Sequence, residues 1–256
     1  MNNNIDIITD EVLLNHIIDN INNKTPSSFV RKGDGENIVV GFQKINSITH
    51  KDFKRMMRIM NVGRYNLNFQ QYIKNELLDS LLNCDFLGIA MSNQRYKKWA
   101  IEDEILERCN LNTKNYCNMN FHINFVKDPD SKLIKNSLVN KIISNKNIGI
   151  ISCFNVKDVI QKHGSKLVKW IKVPKQRSFL KKFNKEFYDH IISDIKDYNT
   201  KVDFWLVASG IHGKIFCNVI KKNSGIAIDI GSSIDSWVDK YNSRGYLKKI
   251  KKKSSL

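Results

Sequence analysis

Ser28-Phe29-Val30-Arg31-Lys32-Gly33-Asp34-Gly35-Glu36 is the stretch on which the fold of this chain turns. Phe29 and Val30 read as a short apolar strand over residues 29–31, running into a turn punctuated by Gly33 and Gly35. The turn carries two carboxylates, Asp34 and Glu36, one residue apart, with Arg31 and Lys32 just before them. Carboxylate oxygens suit hard divalent cations such as Mn²⁺ or Mg²⁺. Such a cation bridges to phosphate, and a neighbouring arginine can grip phosphate oxygens in a bidentate fork. The local pattern therefore fits a metal–diphosphate site at a strand end. It fits an ordinary surface turn equally, since Gly and Asp are common turn residues.

Bulk properties narrow the class. The chain has 256 residues, 41% hydrophobic and 26% charged, enough to bury a large core. Residues 1–20 hold no apolar segment flanked by a basic end, and no apolar run reaches membrane-span length, so a cytoplasmic protein without a targeting segment is expected. The five cysteines are scattered without CxxC spacing, which indicates neither a zinc site nor a disulfide framework and fits a reducing compartment. The net charge is +17, and it is one-sided. Residues 1–128 hold 16 Lys/Arg against 15 Asp/Glu, whereas residues 129–256 hold 26 against 10. That excess favours an anionic partner, whether nucleic acid, an anionic membrane surface or a phosphorylated substrate. Lysines on solvated helix faces would produce the same count.

Helical spacing over residues 10–23 (Thr9 or Asp10 as N-cap), 50–60, 67–82, 98–109, 179–197 and 214–222 alternates with apolar runs. Those runs, at 29–31, 85–91, 147–154, 167–173, 202–208 and 227–230, read as strands. Residues 116–126 alternate loosely and are read as a further strand; residues 38–42 suit a helix start or a strand beneath the turn. Asp128-Pro129-Asp130-Ser131 is a second two-carboxylate pattern, but proline beside Asp and Ser is the ordinary opening of a helix, and capping is the preferred reading. The alternation predicts a single Rossmann-like α/β domain over residues 1–247, with a mainly parallel sheet and a basic tail at 248–256 that frays. In such sheets ligands bind at the carboxyl ends of the strands.

Three glycine-bearing turns follow predicted strands: the first stretch, Ser209-Gly210-Ile211-His212-Gly213-Lys214, and Asp229-Ile230-Gly231-Ser232-Ser233. The second opens a helix whose N–H groups, with His212 and Lys214, could hold phosphate. It is neither a Walker A loop nor a GxGxxG fingerprint. Asp229 at a strand end is a candidate general base, a ribose-hydroxyl acceptor or a helix cap. Asp235, Trp237, Tyr241, Arg244 and Tyr246 make a polar–aromatic cluster of the kind that stacks on sugars or bases; core packing explains Trp237 as well. No Ser-His-Asp order or reactive-cysteine context argues for covalent catalysis. The three turns are expected to lie together on one sheet edge.

Arg31-x-Gly-Asp34-Gly-Glu36 resembles the Arg-Phe-Gly-Asp-Gly-Glu signature of the GT-D-type glycosyltransferases. Phe204-Trp-Leu-Val-Ala-Ser-Gly210 resembles that family's apolar strand ending in a small-residue–Gly turn, and Gly225-Ile-Ala-Ile-Asp-Ile-Gly231 its Ala-Ile-Asp-Ile-Gly segment. Ile171-Lys-Val-Pro174 resembles a strand-plus-proline segment between them. Lys32 stands in place of an aromatic residue, Ser232 in place of a histidine, and the turn at Ser209–His212 lacks the Gly-Pro-Thr form. The resemblance implies a Rossmann-like fold and a metal-dependent hexosyltransferase of polysaccharide biosynthesis that inverts the anomeric carbon. A UDP-sugar would be held by Mn²⁺ or Mg²⁺ on Asp34 and Glu36. Arg31, Lys32, Gly33, Gly35, Ser209, Gly210, His212, Lys214, Gly231 and Ser232 would cradle the diphosphate, with Asp229 or Asp235 as base. Trp237, Arg244 and Tyr246 would meet the sugar or a glycan or lipid-linked acceptor. The basic second half would touch an anionic membrane at its inner face, and no specific nucleic acid is expected. A basic nucleic-acid-binding protein and a Rossmann-like methyltransferase are the rival readings.

Overall fold

The computed structural model describes residues 6–62, 66–91, 100–111, 115–127, 137–175 and 183–254. Strands and helices alternate along them. The first half holds β1 (Ile7–Ile8), α1 (Asp10–Asn23), β2 (Ser27–Arg31), α2 (Asp34–Gly41), α3 (His50–Ile59), α4 (Leu67–Asn83), β3 (Phe86–Ile89), α5 (Glu102–Arg108) and β4 (Asn115–Asn118). The second holds α6 (Ser137–Ile143), β5 (Asn147–Ser152), α7 (Lys157–Lys162), β6 (Lys166–Lys172), α8 (Lys185–Tyr198), β7 (Phe204–Ala208), α9 (Ile211–Lys222), β8 (Ile226–Asp229), α10 (Ile234–Trp237) and α11 (Gly245–Ser254). Among the described residues eight strands form one sheet in the order β1-β4-β3-β2-β8-β7-β5-β6, and every pairing is parallel. The strands of the first half fill one side and those of the second half the other. They meet where β2 pairs with β8, from Ser27 opposite Ile226 to Phe29 opposite Ile228.

A parallel sheet is covered on both faces, and the strand sequences alternate accordingly. Phe29, Phe204, Leu206 and Ile228 enter one apolar cluster, packed by Leu13, Leu14 and Ile17 of α1 and by Ile142 of α6. Val30, Trp205, Val207 and Ala227 enter the other, packed by Val39 of α2, Met57 of α3, Leu77 of α4 and Phe216 of α9. Burial of each such large side chain contributes roughly 1.5–3 kcal/mol. The helix capping expected at α1 is made by Thr9, whose hydroxyl accepts the Val12 N–H.

Several local expectations change. The glycine turn is the opening of a helix: α2 starts at Asp34, Gly33 is its N-cap, and Glu36 reaches back to accept the Gly33 N–H at 3.0 Å. Residues 38–41 simply continue that helix. The strand expected over 116–126 stops at Asn118. There Asn118 Oδ1 accepts the Asn120 N–H (2.9 Å) and turns the chain into a 3₁₀ segment, Phe121–Phe125. Phe121 and Phe125, four apart, both enter the core, which is why a strand period is not kept. Residues 248–254, expected to fray, belong to α11, tied down by Leu247 against Val126 and Tyr241. Asp128-Pro129-Asp130-Ser131 and residues 179–182 lie outside the described residues. Among the described residues no helix is long and apolar enough to cross a membrane.

Candidate active site

Because all strands run the same way, their carboxyl ends share one edge, and β2, β8 and β7 are consecutive neighbours along it. The three glycine turns therefore open side by side. Lys214, in the first turn of α9, reaches Asp229 Oδ2 at 2.8 Å, Glu36 Oε1 at 3.0 Å and the Gly210 carbonyl at 3.1 Å. Burial opposes its charge, but Asp229 and Glu36 outweigh that penalty and raise its pKa. Arg31 Nε stands 3.6 Å from Asp229 Oδ2, and Arg31 Nη1 donates to the Met119 carbonyl at 3.5 Å. The other Asp229 oxygen accepts the Gly231 N–H at 3.1 Å. Gly231 has φ +48, and a Cβ there would fall 2.0 Å from Arg31 Nη2. Only glycine lets the guanidinium lie on this turn.

The expected site residues divide. Asp34, half-buried, opens α2, and Glu36 is buried with both oxygens engaged. Gly35 is a packing position, where a Cβ would meet Met56 at 2.6 Å. Ser209 Oγ is buried and has no hydrogen-bond partner. Ser232 Oγ lies 3.0 Å from the Tyr246 hydroxyl. Asp235 is half-buried at the start of α10.

Four expectations need correction. Lys32 does not join Arg31 beside Asp229, because successive residues leave a strand on opposite faces. It is fully buried, pairs with Glu102 at 2.7 Å and donates to Asn37 Oδ1 at 2.7 Å. Burial lowers its pKa and Glu102 only partly restores it. His212 is also a core residue: Nε2–H donates to the Met60 carbonyl at 2.8 Å, which leaves Nδ1 to accept the Tyr188 hydroxyl. Burial pushes its pKa down to about 4, and both ring nitrogens are engaged within the core. Asp229 is fully buried under Arg31, Lys214 and Gly231, so it anchors the site rather than acting as a base. Trp237 is core, its indole N–H donating to the Phe125 carbonyl at 2.7 Å.

Two residues escaped the sequence reading. Glu102 supplies the buried partner of Lys32, and its Oε2 accepts the Asn37 amide at 2.6 Å. His122 is buried, with its ring 5.3 Å from that of Tyr246 and no hydrogen-bond partner for Nδ1. Burial first, then the nearby Arg31 and Lys214, pushes its pKa well below the usual histidine range. A lone acid and a lone histidine carry no spacing signal, so nothing in the sequence marked either.

The expected metal pair fits only in part. Asp34 and Glu36 are two apart on a helix and so do not face each other. Asp34 is half-buried at the helix start and suits a divalent ion shared with a substrate diphosphate. Glu36 does not fit: one oxygen takes the Gly33 N–H and the other the Lys214 ammonium. Among the described residues no group of three or more His, Cys, Asp or Glu could hold a metal.

Among the described residues a doubly covered, all-parallel sheet with a charged cluster at its carboxyl edge defines a Rossmann-like α/β protein. The profile of the GT-D fold-like domain family matches residues 8–237, and the chain belongs to that family. A glycosyltransferase from Streptococcus sanguinis (DUF1792) has a similar structure, with 14% identity and a TM-score of 0.55 over 91% of this chain and 84% of that one. A domain of unknown function 1792 described as having a distinct glycosyltransferase fold matches at 18% identity and a TM-score of 0.54, covering 93% of this chain and 82% of that one. A selenomethionine-substituted domain of the same kind gives 16% identity and a TM-score of 0.53, with 91% and 80% covered. At such identities the likeness is one of fold, and it is a glycosyltransferase fold. No curated protein sequence matches the chain.

Proposed function

We propose that this protein is a glycosyltransferase that moves a sugar from a nucleotide-diphosphate donor, a UDP-sugar, to a hydroxyl of a glycan or glycoconjugate. The observation that carries the reading is the convergence of the three glycine turns on Arg31, Lys214, Glu36 and Asp229 at one sheet edge. Arg31 grips the diphosphate, aimed by Asp229 and the Gly231 turn. The N-terminus of α2 and the hydroxyls of Ser209 and Ser232 add donors. The buried atoms Ser209 Oγ and His122 Nδ1, which have no hydrogen-bond partner, and Arg31 Nε, which has only the Asp229 ion pair, support a polar ligand here, since such atoms ordinarily find a hydrogen-bond partner. These groups offset charge on the leaving diphosphate. A Mn²⁺ or Mg²⁺ ion on Asp34, when bound, would supply further Lewis-acid help. With Asp229 committed, Asp235 takes the acceptor proton, and a single displacement inverts the anomeric carbon. The exposed Lys248, Lys249, Lys251, Lys252 and Lys253 of α11 support an acceptor presented at an anionic membrane surface.

Thermal shift with a nucleotide panel, with and without Mn²⁺, tests the reading. A selective rise with UDP, reduced in Arg31→Ala and Asp34→Ala, is expected. No nucleotide response beside tight, salt-sensitive RNA binding, or a response to S-adenosylmethionine instead, would sink it.

A further inference from the structure

The Lys214 ammonium has three N–H bonds and three oxygens around it: Asp229 Oδ2 at 2.8 Å, Glu36 Oε1 at 3.0 Å and the Gly210 carbonyl at 3.1 Å. Its side chain is only 3% exposed. The remaining oxygens of both carboxylates are taken by backbone N–H groups, Gly33 for Glu36 and Gly231 for Asp229. Two buried anions thus face two cations, Lys214 within the cluster and Arg31 beside it. A divalent ion on Glu36 would have to displace an ammonium that is already fully hydrogen-bonded, or sit beside it against like-charge repulsion.

We infer that Lys214 is the resident cation of this site and keeps Glu36 out of metal coordination, so that an incoming divalent ion is not held by the Asp34-x-Glu36 pair. Glu36 is then a positioning residue. It holds the start of α2 to α9, and through Lys214 and Asp229 it sets Arg31 and the Gly231 turn. The proposal departs from the two-carboxylate metal site implied by the sequence resemblance. It concerns ion binding by this chain alone, so failure of the nucleotide experiment would leave it standing.

The test is Mn²⁺ alone, titrated on the full chain and followed by electron paramagnetic resonance of free Mn²⁺, with circular dichroism to verify folding. Glu36→Gln is expected to change Mn²⁺ affinity by less than about twofold, whereas Asp34→Asn weakens it by about tenfold or more. Lys214→Met frees both buried carboxylates and should strengthen Mn²⁺ binding by at least about tenfold, a gain that Lys214→Met/Glu36→Gln removes. Loss of Mn²⁺ affinity in folded Glu36→Gln equal to that in Asp34→Asn overturns the proposal. So does a folded Lys214→Met that gains nothing. Should Lys214→Met fail to fold, the comparison of Glu36→Gln with Asp34→Asn decides by itself.

Discussion

Replacing Gly231 by alanine probes fold and site together. The substitution puts a Cβ on a residue with φ +48, 2.0 Å from Arg31 Nη2 and 2.8 Å from Arg31 Cζ. Left-handed backbone costs a non-glycine residue roughly 1–2 kcal/mol. The clash is with the far end of a flexible side chain, so the guanidinium gives way by about 1.5 Å to reach ordinary contact distance. That movement takes Arg31 off Asp229, now 3.6 Å away, and off the diphosphate position. For a chain of this size, 1–2 kcal/mol lowers Tm by roughly 2–8 °C. Losing a hydrogen bond to a charged group is worth roughly 1.5–3 kcal/mol, so UDP should bind about 10- to 150-fold more weakly. Differential scanning fluorimetry and isothermal titration calorimetry read the two effects. Gly245→Ala is the control, since a Cβ there meets nothing within 4 Å. A destabilised Gly231→Ala that binds UDP as tightly as the parent would remove Arg31 from the diphosphate. An unchanged Tm would refute the packing argument itself.

Three other outcomes follow from buried charge and exposed charge. His212 has its pKa lowered from 6.5 to about 4, so below pH 6.5 the unfolded chain binds a proton that the folded one refuses. Stability should therefore fall as pH drops from 6.5 to about 4, by about 3 kcal/mol at 1.36 kcal/mol per pKa unit. A His212 ring that titrates near 6.5 by NMR would contradict this. Lys32→Met leaves Glu102 buried and unpaired and should cost roughly 3–5 kcal/mol in urea unfolding. Lys32→Met/Glu102→Leu should regain most of it, and a double variant no better than the single refutes the ion-pair account. Lys248→Ser, Lys249→Ser and Lys253→Ser together should cost about 3 kcal/mol of binding to phosphatidylglycerol vesicles, at about 1 kcal/mol per lysine. Equal co-sedimentation of parent and variant with these vesicles and with pure phosphatidylcholine would remove the membrane contact.

Much of the fold was legible because each strand is a short apolar run between helical periods. Residues 202–208 and 227–230 were readable because β7 and β8 are buried on both faces, which demands nearly continuous hydrophobicity. The stretch 116–126 misled because Phe121 and Phe125 keep apolar character while the backbone has turned at Asn118. The start of α2 reads as a turn because two glycines hide a helix N-terminus whose cap comes from the Glu36 side chain. Local preference for a turn was overridden by a hydrogen bond and by packing of Gly35 against Met56.

Residue type and spacing alone determined that Arg31 ends a strand, and that Gly33, Asp34, Glu36, Gly210 and Gly231 follow strands, of an alternating α/β chain. That placed them on turns and marked the carboxyl edge as their meeting point. Which of them meet one another was decided only in three dimensions. Arg31 and Lys32 are adjacent in sequence, yet strand geometry sends one to Asp229 and the other to Glu102. Lys214 and His212 share one helical turn, yet one meets two carboxylates and the other a tyrosine and a carbonyl. A charge's role depends on what lies within about 4 Å of it, and those neighbours come from strands far apart in sequence.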